Sequence, residues 1–292
     1  MISILKRLGF KHVSETALGA QEVSIECAKL MKQKDKGLFI SSACPVVVDY
    51  IRLYNPKFLP CITPVASPAH THARMLKDIY GAHIHVVFIG PCIAKKNESD
   101  HNPNLIDAAL TFEELKYWLQ DEFIQTDDIE DNENDRFVPE SAYEGALYPI
   151  EGGMNETIKQ GGMADDVQFL NISSIENLEK ALKGFEPDCV NRKIFIEALA
   201  CNGGCLAGPC ASSKKSELLR VSDALSKIKL RENIPNEPKT VVEIDYRKKP
   251  VEHPNYSYET ICEALKKIGK YSEEDELNCG GCGYNTCREL AC

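Results

Sequence analysis

The stretch IFIEALACNGGCLAGPC, which runs from Ile194 to Cys210, decides the fold of this chain. An apolar run of strand length that ends on glycines predicts that Cys201 and Cys205 lie at the carboxyl end of a strand, where open α/β sheets hold their ligands. Gly203 and Gly204 allow the backbone to approach a bulky group closely. Taken alone, the C-x3-C spacing is equally typical of a metal site and of buried structural cysteines.

Two earlier stretches repeat this pattern. In GLFISSACP, the apolar residues Leu38 to Ile40 predict a strand, Cys44 follows it, and Pro45 opens the next helix. In HIHVVFIGPC, the β-branched run from Val86 to Ile89 predicts a buried parallel strand, and Cys92 lies just past its end. If the strand ends meet, four thiolates reach one point, and such a set suits an iron–sulfur cluster or zinc. The predicted ligands are Cys44, Cys92, Cys201 and Cys205.

Strands and helices alternate along the remaining sequence. AAL before Thr111 and the later VQFLNIS read as strands, and TFEE, from Thr111 to Glu114, has the form of a capping box. This order predicts an α/β fold of two lobes with largely parallel sheets and a site where their carboxyl edges face each other. His70 and His72 are two residues apart on a predicted helix and point to different faces, so we expect surface or packing roles for both.

The carboxyl-terminal stretch LNCGGCGYNTCRELAC carries a second group of cysteines. Cys279, Cys282 and Cys287 have the spacing C-x2-C-x4-C, which is typical of a cluster site. Its fourth ligand is either Cys292 or a residue beyond the sequence. We therefore expect a first domain over residues 1–231, a connector over 232–257 and a small helical iron–sulfur module over 258–292.

Composition limits the remaining function classes. The formal charge of −10 and the pI near 5.3 argue against nucleic-acid binding, because no block of basic residues neutralises phosphates. The sequence has neither a secretory leader nor an apolar stretch of membrane-spanning length, so we expect a cytoplasmic protein. In that compartment the 13 cysteines are reduced thiols and metal ligands rather than disulfides.

The motifs SSACP, GPCIAKK and EALACNGGC, in this order, resemble the three signature motifs of the [FeFe] hydrogenases, and the resemblance extends from about Leu5 to Gly208. It implies an iron-only hydrogenase-like domain that holds an H-cluster, in which a [4Fe–4S] cubane is joined to a diiron unit with carbon monoxide, cyanide and a bridging dithiolate. The implied cubane ligands are Cys44, Cys92 and Cys201, with Cys205 as the bridging ligand.

The resemblance also assigns the residues around the diiron unit. Lys95 would donate to a cyanide ligand, Pro91 and Ala94 would line the pocket, and Leu199 stands where the family usually has methionine. Ala43 stands where hydrogenases of high turnover carry a proton-relay cysteine.

Three further positions depart from the usual proton route. Cys27 and Leu30 fall on relay glutamates and Thr63 on a relay serine, so the usual route is interrupted at Leu30, while Cys27 or Glu26 offers an alternative. With the terminal cluster motif, these departures resemble the hydrogen-sensing branch of the family.

The resemblance therefore implies reversible H2 activation with slow turnover and a sensing or regulatory role. It implies protons, a redox partner such as ferredoxin or a signalling module, and H-cluster maturation proteins as partners, together with an additional [4Fe–4S] cluster. The alternatives are a Nar1-like cytosolic iron–sulfur assembly factor and an electron-transfer protein, both without the diiron site. We also expect the chain to be cut from a longer protein.

Overall fold

Parallel β-strands form the framework of the protein. The structure, a computed structural model, describes residues 1–125, 135–162, 164–211, 215–240, 243–247 and 256–292. Among these residues the strands are β1 (Gly37–Ile40), β2 (Val87–Gly90), β3 (Ala108–Thr111), β4 (Val167–Ser173) and β5 (Lys193–Leu199). β5 lies between β1 and β4 in a parallel sheet, and β2 and β3 form a separate parallel pair. The predicted α/β fold with largely parallel sheets is confirmed.

The central strand β5 is buried on both faces. Ile196 packs into a hydrophobic core that contains Ile40 and Phe58, whereas Phe195 packs into a second core that contains Val23 and Met154. A strand covered on both faces is the reason that its sequence reads as an almost continuous apolar run instead of an alternating one.

Helices cover these strands and connect them. In the first part of the chain they are α1 (Ile2–Arg7), α2 (Ala17–Lys32), α3 (Pro45–Tyr54), α4 (Pro68–Tyr80), α5 (Ala94–His101), α6 (Phe112–Asp121), α7 (Gly153–Gln160), α8 (Ile175–Leu182) and α9 (Glu217–Leu225). Two more follow near the carboxyl terminus, α10 (Tyr258–Lys267) and α11 (Cys287–Ala291).

Local sequence signals explain several helix ends. Pro45 is the first residue of α3, and the capping box at Thr111 is formed, with Glu114 accepting from the Thr111 backbone N–H at 2.8 Å. Ser216 precedes α9, which ends at Leu225. Of the surface or packing roles expected for His70 and His72, the structure shows packing, because α4 packs against α2 and both side chains are buried.

The chain divides into two units, Met1–Pro250 and Val251–Cys292. In the second unit, α11 is held near a short 3-10 helix (Glu273–Asp275) because Arg288 forms ion pairs with Glu273 and Glu276, each at 2.9 Å. None of the described helices combines the length and apolarity that crossing a bilayer requires.

Candidate functional site

Three strand ends bring four cysteines to one region of the first unit. Cys44 caps the amino end of α3 just after β1, Cys92 follows β2, and Cys201 and Cys205 follow β5. Because β1 and β5 are adjacent and parallel, their carboxyl ends lie at the same edge of the sheet.

The four thiols interact electrostatically with one another. The pKa of Cys205 is raised to about 12, mainly by burial and additionally by the neighbouring Cys44, Cys92 and Cys201. Burial also raises the pKa of Cys44 and of Cys201, and Cys92 adds to both shifts. The raised pKa values of Cys44, Cys201 and Cys205 mean that their ionisation is disfavoured, and a cationic metal centre would remove this cost by binding them as thiolates.

Crowded backbone closes the site beside Cys205. Gly204 has φ +79°, and a Cβ at this position would lie 2.6 Å from the carbonyl oxygen of Pro149. A Cβ on Gly208 would lie 3.4 Å from the carbonyl oxygen of Pro91 and 3.9 Å from Cys201 Sγ. The glycines therefore let three separate segments pack around the thiols, as the glycine-rich sequence predicted.

Lys95 lies in this region as a buried cation. Its side chain is 10% exposed, and its charge lowers the pKa of both Cys44 and Cys205. Its ammonium donates to the Glu98 carboxylate one turn later on α5, and Glu98 Oε1 lies 3.2 Å from His70 Nδ1. Although burial raises the pKa of Glu98, Lys95 and His70 together hold it below its usual range.

Glu98 and His70 were not predicted as site residues. The i, i+3 spacing of Lys95 and Glu98 is a sequence signal for their ion pair, whereas the contact with His70 depends on how α4 and α5 pack. Burial lowers the pKa of His70, and its Nε2 is buried without a hydrogen-bond partner among the described residues.

The remaining residues predicted around the site lie on the same strand ends. Pro91 and Ala94 flank Cys92 at the start of α5, Leu199 is the buried last residue of β5, and Ala43 is half-buried beside Cys44. The Ala43 side chain carries no exchangeable proton.

A chain of side-chain hydroxyls and a thiol leads to Ala43. Cys27 is fully buried on α2, and burial raises its pKa to about 12 although Thr63 hydrogen-bonds its sulfur. The hydroxyls of Thr63 and Ser42 are 3.1 Å apart, and Ser42 directly precedes Ala43. Leu30 is half-buried and packs against the second hydrophobic core, and its apolar side chain adds no hydrogen-bonding group to this series of hydroxyls and thiol.

The second group of cysteines lies in the carboxyl-terminal unit and is more open to solvent. Cys279, Cys282 and Cys292 are exposed, whereas Cys287 is buried and its backbone N–H donates to Asn278 Oδ1 at 2.8 Å. Cys262 on α10 is a fifth, half-buried cysteine of this unit.

The chemistry of both donor sets fits iron–sulfur clusters. Within the described ranges, no three His, Cys, Asp or Glu side chains converge on the position of a single metal ion. Ligands of a cluster bind different iron atoms and therefore do not converge in that way, and thiolates are the ligands that such clusters prefer.

Comparison with known proteins agrees with this site. Residues 1–209 match the family model described as iron only hydrogenase large subunit, C-terminal domain. The chain is 28% identical to the periplasmic [Fe] hydrogenase large subunit of Nitratidesulfovibrio vulgaris. This match covers 71% of the present chain but only 61% of the relative. It is 24% identical to the cytosolic Fe-S cluster assembly factor narfl of Danio rerio, covering 75% of this chain and 68% of the relative.

Among solved structures, an [FeFe]-hydrogenase HydA1 variant from Chlamydomonas reinhardtii matches 85% of this chain and 87% of its own with a TM-score of 0.63. At 18% sequence identity this likeness shows the fold alone. The family model covers most of the chain, including every cysteine of the first site. The chain therefore belongs to the family of the iron-only hydrogenase large subunit, C-terminal domain.

Proposed function

We propose that the chain holds an H-cluster and reversibly activates H2, with slow turnover and a sensing or regulatory role in the cytoplasm. The observation that carries this proposal is the position of Lys95, a buried ammonium that interacts with Cys44 and Cys205. A cubane on its own requires thiolates but no buried cation. Glu98 supplies one anionic partner to this ammonium, and an anionic ligand such as cyanide would supply a second one at its remaining N–H donors.

Each residue of the site has a role in this proposal. Cys44, Cys92 and Cys201 would ligate the cubane, and Cys205 would join it to the diiron unit. When bound, the H-cluster supplies the cleavage and formation of H2. An ammonium has three N–H donors, so the bond from Lys95 to Glu98 leaves two for ligands of the site. The accompanying residues would bound the pocket and limit water, and they are Pro91, Ala94 and Leu199.

Slow turnover follows from the proton route. Cys27, Thr63 and Ser42 form a chain of exchangeable protons, but the next residue toward the cysteines is Ala43. Since alanine can neither accept nor donate a proton, delivery to the diiron unit would depend on occasional water. Binding of H2 with little turnover suits a sensor.

The second group of cysteines would serve electron transfer. Cys279, Cys282, Cys287 and, as the fourth ligand, Cys292 would hold an additional [4Fe–4S] cluster. It would exchange electrons with a redox partner such as ferredoxin or with a signalling module, and maturation proteins would supply the diiron unit. In this proposal residues 1–231 hold the H-cluster, 232–257 connect the parts and 258–292 form the cluster module.

A second candidate function is iron–sulfur assembly without hydrogen chemistry. The similarity to the narfl assembly factor favours it, because the chain covers more of that protein than of the periplasmic hydrogenase. Ala43 and Leu30 are also compatible with it, since an assembly factor needs no proton route.

The test is to load the purified chain with cubane and then with synthetic diiron cofactor, and to measure hydrogen evolution from a reduced dye. We expect weak activity that C205A abolishes and that A43C raises at least about ten-fold, because a positioned proton donor contributes that much or more. Cys210→Ala is the matched control, because Cys210 is a half-buried cysteine of the same glycine-rich segment without an assigned role.

Infrared spectroscopy separates the two candidate functions. Bands of bound carbon monoxide and cyanide are expected after loading, and they should be absent in C205A. A chain that retains cubane iron but gives neither these bands nor hydrogen would contradict the hydrogenase proposal and favour the assembly factor.

A further inference from the structure

A segment beyond the family-matched residues packs back onto the cysteine domain. We call residues 237–240 and 243–247 the strap. At its start, the Glu22 carboxylate of α2 accepts from the backbone N–H of Lys239 and from that of Thr240, the latter at 3.2 Å. Glu237 also forms an ion pair with Lys29 of α2 at 2.7 Å. These contacts fix the strap along α2.

The other end of the strap is fixed next to the loop that follows β1 and α3. Glu243 forms an antiparallel bridge with Val65, and the Ile244 N–H donates to the carbonyl oxygen of Pro64 at 3.1 Å. Arg52 Nε of α3 donates to the carbonyl oxygen of Arg247 at 2.8 Å. The backbone is therefore held by hydrogen bonds both before and after Tyr246 in sequence.

Tyr246 points from the strap toward the turn that carries the first cysteine. Its hydroxyl donates to the carbonyl oxygen of Val65 at 3.0 Å, and Ser42 Oγ donates to the same oxygen at 2.6 Å. The ring packs against the hydrophobic core that contains Ile40. Ser42 is two residues before Cys44, so Tyr246 and the turn that carries Cys44 share the Val65 carbonyl oxygen as their acceptor.

Tyr246 also interacts with the charge network of Lys95. Burial raises the pKa of Tyr246, and the Glu98 carboxylate is the next largest cause of this increase. The side chain therefore shares an acceptor with Ser42 of the turn that carries Cys44, and it interacts electrostatically with the carboxylate that holds Lys95. Tyr246 lies outside the family-matched segment, which ends at residue 209.

We propose that Tyr246 is a positioning residue for the cysteine site: through Val65 and Ser42, its hydroxyl holds the Ser42–Cys44 turn so that Cys44 can ligate the cubane. This inference rests on the part of the proposed function that assigns a cubane ligand to Cys44, and it does not require the diiron unit or hydrogen chemistry. It also makes the strap part of the site, although the strap follows the family-matched residues in sequence.

The test compares Y246F with Y50F in a C282S background, which removes the second proposed cluster so that iron reports the first site. Tyr50 is the matched control, because its ring packs against the same core while its hydroxyl bonds Asn55. After cubane loading, we expect Y246F to release iron to a chelator about five-fold faster, as the loss of one hydrogen bond predicts, and to change the electron paramagnetic resonance spectrum of the reduced cubane. Y50F should change neither.

A double-mutant cycle identifies the contacts through which Tyr246 acts on the cysteine site. In the presence of S42A, the effect of Y246F on iron release should be much smaller, because Tyr246 acts through Ser42 and Val65. Equal iron release and an unchanged spectrum in Y246F would overturn the inference, as would a loss of thermal stability without either change. A chain whose cubane responds to Y246F but which never evolves hydrogen would contradict the proposed function and leave this inference standing.

Discussion

The four cysteines of the first site follow paired strands, whereas Cys279, Cys282 and Cys287 of the carboxyl-terminal unit lie in a glycine-containing turn and at the start of a five-residue helix. Cys44 of the first group packs against a large hydrophobic core. In residues 256–292 the buried hydrophobic side chains are Leu265 and Cys287. The difference teaches that sheet pairing can hold one set of thiols before any iron binds, whereas a unit with so small a core would depend on the cluster proposed for it.

The largest effect should come from removing iron. In the chain without clusters, amides of residues 256–292 should exchange with deuterium at nearly unfolded rates, while amides of β5 remain protected by about a thousand-fold or more. Hydrogen exchange with mass spectrometry measures both units in one sample. C282S in the loaded chain should reproduce the loss in the second unit, and C262S should not. Protection of residues 256–292 without iron would contradict the expectation that this unit, unlike the first, needs its cluster in order to fold.

A second test introduces a methyl group into each cysteine turn. At Gly204 the backbone is left-handed and a Cβ would meet the carbonyl oxygen of Pro149 at 2.6 Å, whereas at Gly283 φ is +89° with no atom within 4 Å. We expect G204A to reduce the free energy of unfolding of the first unit by about 4 kcal/mol, from strain plus a backbone clash.

The matched variant G283A should reduce the stability of its own unit by about 1 kcal/mol, since only the backbone strain remains. Native-state hydrogen exchange in increasing urea measures both values. Equal effects at the two glycines would mean that the first turn is as adaptable as the second.

The third test concerns the charge at the first site. Lys95 and Glu98 have side chains 10% and 12% exposed, while the neighbouring pair of Lys96 and Glu114 is 33% and 43% exposed. E98Q should lower the free energy of unfolding by about 3 kcal/mol, because it leaves a buried ammonium without its counter-charge. E114Q should change stability little, because solvent screens an exposed pair. Urea unfolding measures both free energies of unfolding. An unchanged stability of E98Q would show that the Lys95 ammonium pairs with another anion.

The smallest effect should appear as a difference in pH dependence. Burial raises the pKa of Glu197 on β5 to about 7, although backbone N–H groups at the start of α7 donate to its carboxylate. In the unfolded chain this group ionises near 4.5. Between these two values the unfolded state has lost the proton and the folded state retains it, so ionisation favours unfolding as the pH rises.

Glu197 should therefore reduce the stability of the first unit by about 2 kcal/mol between pH 5 and pH 7. In E197Q this decrease should be absent, while contributions from all other groups remain common to both proteins. The measurement is urea unfolding at several pH values. Parallel curves for E197Q and the unmodified chain would show that the carboxylate is ionised in the folded state.

Local sequence signals were sufficient for the strand ends and for the helix caps, because apolar runs, prolines and capping boxes act over a few residues. They could not predict the burial of His72 or the contact of His70 with Glu98, which depend on how α4 packs against α2 and α5. They also missed Tyr246, which was assigned to a connector. Its hydrogen bond joins residues 181 positions apart, and no local pattern encodes such a contact.

The position of β5 between β1 and β4 has a consequence for biosynthesis. Gly37 pairs with Lys193, so the first strand has no partner until the ribosome has made almost the whole cysteine domain. Until then Cys44 and Cys92 belong to an incomplete chain, and non-local parallel pairing of this kind forms slowly. Under the proposed function, insertion of a cluster at the first site would therefore follow translation of residues 193–205, and the supply of iron and sulfide would act on a chain whose cysteine domain is already complete.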